Sequence, residues 1–111
     1  MFSFCLNDVA DDPDNREYLL KVSNEHFELN ILLSKEELLK IPGVVDARWN
    51  DRTSLMLGEC LGVPAWWSVN PDGLSILIGY DDEGWEIGVT MPDSVLEDLF
   101  KEINVDETRS N

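Results

Sequence analysis

Nucleophilic catalysis needs a hydroxyl or thiol beside a base, and this chain of 111 residues holds one histidine, His26. Asn24-Glu25-His26 separates two β-patterned runs and reads as a hairpin turn, which leaves the imidazole at the surface. As a base it would have to meet Cys5, Cys60 or a serine across the fold, and an exposed turn histidine is the simpler reading. The two cysteines form no CxxC and have no second histidine, so no zinc ligand set exists. They suit a reducing cytoplasm, as two buried or inert thiols. Asp8, Asp11, Asp12 and Asp14 could invite calcium, but the stretch lacks the bend glycine and terminal glutamate of an EF-hand loop. It reads as a solvated acidic loop. Gly58, Gly62, Gly79 and Gly84 fit turns and bulges and not a phosphate-binding loop. Carboxylates are plentiful, but their spacing in sequence says nothing of their separation in space, so no glycosidase pair can be assigned. No catalytic residue, cofactor or metal is expected.

Binding is better supported. Against 8 basic residues stand 23 acidic ones, a formal net charge of -15. Such a chain repels nucleic-acid phosphates and anionic lipid headgroups and speeds encounter with a basic partner. Solubility alone would also explain it. The distribution is more telling: residues 81–107 carry ten acidic residues and one basic residue, Lys101. They fall on Asp81-Asp82-Glu83, on Glu86, and along Asp93, Glu97, Asp98, Glu102, Asp106 and Glu107. Singly, each is a solvated charge. Clustered beside an outward tryptophan, Trp66 or Trp85, they describe a partner surface with an aromatic anchor. The residues expected to meet a partner are Asp81, Asp82, Glu83, Glu86, Trp66, Glu97 and Asp98.

The elements that must position them can be read in order. Met1 to Leu6 suits an edge strand, and NDVADDPDN after it a loop. Tyr18–Ser23 and Phe27–Leu33 form a hairpin whose second arm buries Phe27, Leu29, Ile31 and Leu33 by strict alternation. Ser34-Lys35-Glu36-Glu37 is a capping box; it opens a short helix with Leu38, Leu39 and Ile41 inward, ended by Pro42-Gly43. Residues 44–52 carry no clear period around Trp49, Arg48 and Arg52. Thr53–Leu57 reads as a strand and Gly58–Pro64 as a turn or bulge.

Trp66 to Pro92 then reads as three strands. Asn70-Pro71-Asp72-Gly73 is a turn with asparagine first and proline second. A two-residue loop there sends Trp67 inward, and a three-residue loop sends Trp66 inward instead. Pairing Tyr80 with Trp85 sets Ile78 against Ile87 and Ile76 against Val89, and makes all six side chains core. A one-residue slip would put Glu86 on the buried face. Trp66 is then the tryptophan expected outside. Ser94-Val95-Leu96-Glu97 is a second capping box, and Val95, Leu96, Leu99, Phe100 and Ile103 form the inner stripe of its helix. Residues 106–111 read as a frayed polar tail after one compact domain, 1–105. The order of elements predicts an α+β fold, an antiparallel meander with about two helices on one face. The N-terminus lacks the basic and apolar regions of a signal peptide, and no stretch approaches the ~20 apolar residues of a membrane span.

WWSVNPDGLSILIGYDDEGWEIGVTMP followed by DSVLEDLFKEI resembles the C-terminal part of small bacterial immunity proteins of polymorphic-toxin and contact-dependent growth-inhibition systems. The similarity lies in length, acidity, tryptophan-rich hairpins and a closing amphipathic helix, over the last half of the chain. It implies a cytoplasmic, non-enzymatic protein that blocks a cognate toxin domain, often a basic nuclease, and it carries over no residue-level site. The competing readings are an acidic adaptor or nucleic-acid mimic and a small ligand-binding domain or enzyme, the last needing a pocket with convergent polar groups.

Overall fold

In the computed structural model, residues 2–9, 17–81 and 84–109 are described, the last six of these by their backbone alone. Seven strands follow one another as neighbours in a single antiparallel sheet: β1 (Ser3–Asp8), β2 (Glu17–Ser23), β3 (Glu28–Ser34), β4 (Leu55–Cys60), β5 (Val63–Asn70), β6 (Gly73–Gly79) and β7 (Trp85–Met91). Helix α1 (Lys35–Lys40) leaves β3 and helix α2 (Val95–Arg109) follows β7. This is the expected α+β meander. α2 includes 106–109, read from sequence as tail, in its helical backbone.

Alternation sets the core. Leu6 stands across from Leu20 and Leu20 across from Ile31, while Val22 faces Leu29 and Tyr18 faces Leu33, and all are buried. Trp67 pairs with Ile76 and Ala65 with Ile78 on the same face, so one side of the sheet carries a continuous apolar layer. Leu38 of α1, Ile41 and Val44 after it, and Val95, Leu99 and Ile103 of α2 complete that layer. Leu39, expected inward, is exposed, because it stands about 100° around the helix from Leu38, whose side Ile41 shares.

The capping box at Ser34 forms in full, with Glu37 N–H donating to Ser34 Oγ and Ser34 N–H to Glu37 Oε1. α1 ends at Lys40, before Pro42-Gly43 as expected, and a 3₁₀ segment, Ile41–Asp46, continues from it and delivers Ala47 to the sheet. Val69 N–H donates to Ala47 O at 2.8 Å, and Arg48 bridges Val69 in parallel. β4 first meets β5 at Leu55–Trp67, so the end of β5 near Val69 is paired by this segment instead. A short 3₁₀ turn, Trp49–Asp51, then packs Trp49 beside β5. The region expected as a turn or bulge at 58–64 is both: Gly58 sits in a β4 bulge at φ +79, and Leu61-Gly62 turns the chain into β5.

At the sheet's first edge, Leu6 N–H donates to Glu102 Oε1 at 3.1 Å, so α2 covers an edge N–H of β1. Cys5 and Cys60 are free thiols; Cys5 is exposed on the outer face of this strand and Cys60 is partly buried. No described helix is long and apolar enough to cross a membrane.

Candidate functional site

The turn Pro71-Asp72 is a two-residue loop: Asn70 pairs with Gly73, and Asn70 Oδ1 accepts Asp72 N–H. Trp67 therefore turns inward and is 0% exposed, its Nε1–H donating to Leu57 O at 2.9 Å. Trp66 takes the outer face, half-buried, with Nε1–H donating to Gly79 O at 3.1 Å. That bond ties Trp66 to the end of β6, next to Tyr80 and Asp81.

The β6–β7 hairpin keeps part of the expected register. Ile76 pairs with Val89 and Ile78 with Ile87, but Gly79, not Tyr80, stands across from Trp85. Glu86 is the extra residue, and the strand bulges there. Gly79 makes this possible: a β-carbon on it would meet Gly84 O at 2.7 Å and collide with Trp85 Cα. The expected core face consequently ends early. Ile76 and Ile78 are buried, whereas Tyr80 is 81% exposed, Trp85 49% and Ile87 51%. The bulge also turns the Trp85 ring onto the outer face, where a β-carbon on Gly88 would stand 3.1 Å from Trp85 Cζ3 and 3.1 Å from Leu77 Cδ2.

Three tryptophans thus share the outer side of β5–β7. Trp49 and Trp85, with Leu77, Ser68, Asn70 and Ser75, line a shallow cleft of about 150 Å³. Its floor is polar and internally satisfied: Asn70 Nδ2 donates to Ser75 Oγ at 2.9 Å, and Ser75 Oγ and Thr90 Oγ1 share a 3.1 Å hydrogen bond. Arg52 lies with its guanidinium carbon 5.2 Å from the Trp49 ring centroid, a cation–π contact at one wall.

Of the acidic residues named from sequence, Asp81 is exposed and its Oδ1 accepts Gly84 N–H across the turn. Glu86 is the bulged, exposed residue of β7, and Glu97 and Asp98 are exposed in the first turn of α2. Asp82 and Glu83 lie outside the described residues. Asp81 and Glu86 flank one hairpin end, Trp66 is tethered to it, and α2 begins three residues after β7 ends, after Pro92, Asp93 and Ser94. Tyr80 was expected inside, and the expected register moved Trp85, at first a candidate outward tryptophan, into the core; both are exposed. Glycines at 79, 84 and 88 around an otherwise alternating pattern were the available signal for a bulge.

The other titratable site is structural. Glu37 sits beside the Gly58 bulge, in a hollow of about 290 Å³ lined also by Glu17, Ser34 and Glu59. Burial pushes its carboxyl upward, but N–H groups of Ser34 and Gly58, the Ser34 hydroxyl and the Lys40 charge outweigh this and hold it below the ordinary value. Among the described residues no group of three or more His, Cys, Asp or Glu side chains is placed to hold a metal ion.

No family model matches this chain, and neither does any curated protein or solved structure.

Proposed function

We propose that this protein is an immunity-type inhibitor that binds a basic toxin domain through the acidic surface of its C-terminal half and works in the cytoplasm. One observation carries the reading. From Pro71 to Ile103 the chain has nine acidic residues and one basic residue, Lys101, whereas residues 17–60 hold five basic residues against eight acidic ones. The negative charge is therefore concentrated on the β6–β7 hairpin and α2, where Asp81, Glu86, Asp93, Glu97 and Asp98 are exposed. Beside Asp81 and Glu86 stand Tyr80, Trp85 and half-buried Trp66, apolar surface of the kind that anchors an interface, while Asp93, Glu97 and Asp98 follow the far end of β7. Charge of one sign steers a basic partner into encounter, and desolvated aromatics slow its release. A toxin domain that binds nucleic acid would be blocked by covering its own basic surface.

Co-expression of the chain with the toxin encoded next to it tests this. Protection of the cells and a complex that survives physiological salt are expected; neither appearing overturns the proposal. Within such a complex, reversing Glu86, Glu97 and Asp98 together to lysine should lower the association rate by about ten- to a hundredfold. The same variant should unfold close to the wild-type midpoint, since exposed charges contribute little to stability. An unchanged association rate would mean that the partner binds elsewhere.

A further inference from the structure

The two edges of the sheet are finished differently. At β1, α2 lies alongside and Glu102 occupies the Leu6 N–H. β7 ends the sheet at the other side, with β6 as its strand neighbour and no further strand among the described residues. Soluble proteins blunt such an edge with charged side chains, lysine above all, with proline, a bulge, a short strand or a covering element. β7 is seven residues long, WEIGVTM, with no lysine and no proline. Its bulge lies at the Glu86 end, so from Ile87 to Met91 the ladder with β6 is regular. All of β7 except Val89 and Met91 is exposed, Ile87 among them.

We infer that the open edge of β7 is a docking strand, and that its occupant is an extended segment of a basic partner, added to the sheet as an eighth strand. The inference rests on the function proposed above and names how that surface is engaged. Charge decides the occupant. Glu86 is the only charged residue of β7, Asp81 precedes the strand, and Asp93, Glu97 and Asp98 follow it, with no cation from Pro71 to Phe100. A strand carrying lysine or arginine at alternate positions would meet these carboxylates while its main chain pairs with β7. A second copy of this chain is the alternative occupant, and it brings another -15 charges to the same edge.

A ten-residue peptide of alternating lysine and threonine is the probe, with alternating glutamate and threonine as control, read by amide NMR and hydrogen exchange on the intact protein. The lysine peptide should bind at least about tenfold more tightly than the control. It should shift and protect alternate amides between Ile87 and Met91 and leave β1 unchanged. Neighbouring N–H groups on a strand point to opposite edges, so one of Ile87→Pro and Gly88→Pro spares the β6 ladder. That variant should keep the Ile76–Val89 and Leu74–Met91 pairs and lose the peptide. Shifts confined to α2, equal binding of the control, no binding, or dimerisation through β7 would each overturn the inference. A toxin complex that leaves the β7 amides unprotected would overturn the docking strand alone. Failure to form any toxin complex would overturn the proposed function, with the peptide result still reporting on the edge.

Discussion

Glu37 and Gly58, 21 residues apart, are joined by a 2.8 Å hydrogen bond from the Gly58 N–H to Glu37 Oε2, while the other carboxylate oxygen accepts the Ser34 N–H at 3.0 Å. One side chain thus closes the N-terminus of α1 and fastens the β4 bulge to it. Gly58 has room for no β-carbon: one placed there would stand 2.7 Å from Leu32 O and 2.6 Å from Leu33 Cδ2. The bulge can approach β3 this closely only without a side chain.

Glu37→Gln should therefore destabilise the fold by about 1 kcal/mol, because glutamine offers one acceptor oxygen to two N–H donors. Urea unfolding measures it. The pH dependence has a definite sign. A carboxyl held below its ordinary value of 4.5 contributes stability that is complete above that value and is lost as pH falls through the lowered one. The gap between wild type and Glu37→Gln should hold from neutral pH down to about 4.5 and close below it. A gap independent of pH would assign the loss to packing rather than to the carboxylate.

The adjacent tryptophans should behave as opposites. Trp67 is 0% exposed and sits between Leu55 and Ile76 in the ladder, so Trp67→Ala should cost about 3–5 kcal/mol. Trp67→Phe keeps most of the volume and still leaves Leu57 O without its indole donor, for a loss of about 1–3 kcal/mol. Trp85→Ala should stay within about 1 kcal/mol, since half of that side chain is already in water. Denaturant midpoints of the three variants give the order directly.

Much of this arrangement was legible from the chain. Alternation in Leu29, Ile31 and Leu33 and in Ile76 and Ile78 gave the strands, their inner face and their partners, because period two and burial of one face leave little freedom in register. The Pro71-Asp72 turn settled which tryptophan turns inward once its loop length was known. The same alternation misled at Tyr80, Trp85 and Ile87, where it runs on unbroken into a part of the hairpin that stays exposed. The bulge depends on the absence of a β-carbon at Gly79, a property of backbone approach and not of hydrophobic pattern. Residues 44–52 were opaque for a related reason: Ala47 and Arg48 join the sheet through main-chain contacts to Val69, which need no apolar period. The exposure of Asp81, Glu86, Glu97 and Asp98 follows from their helix and turn positions, whereas that of Trp85 depends on the bulge.

At the opposite edge, Glu102→Ala removes the acceptor of the Leu6 N–H. The bond spans most of the chain and is partly exposed, so the loss in global stability should be about 0.5–1.5 kcal/mol. The local effect should be larger in kind. Leu6 amide exchange should accelerate beyond what the global change accounts for, and β1 should pair with other chains more readily than in the wild type. Equal acceleration throughout the sheet would mean that Glu102 contributes to packing and not to the edge.

Gly79→Ala tests the device that puts Trp85 outside. The new methyl would collide with the backbone of Trp85 and Gly84, and neither is the flexible end of a side chain that could move away. The hairpin must shift its pairing, so the cost should exceed the roughly 0.5–1 kcal/mol that alanine gains over glycine in a regular strand. Because Ile76–Val89 and Ile78–Ile87 precede the bulge, those pairs should persist and the protein should still fold. The change should concentrate at the hairpin end: Trp85 should leave its place over Gly88, Trp66 should lose Gly79 O as the acceptor of its indole N–H, and both indole resonances should move. If both indole resonances stay in place while stability falls, Gly79 is needed for strand entropy alone, and the outward tryptophan is fixed by something other than the bulge.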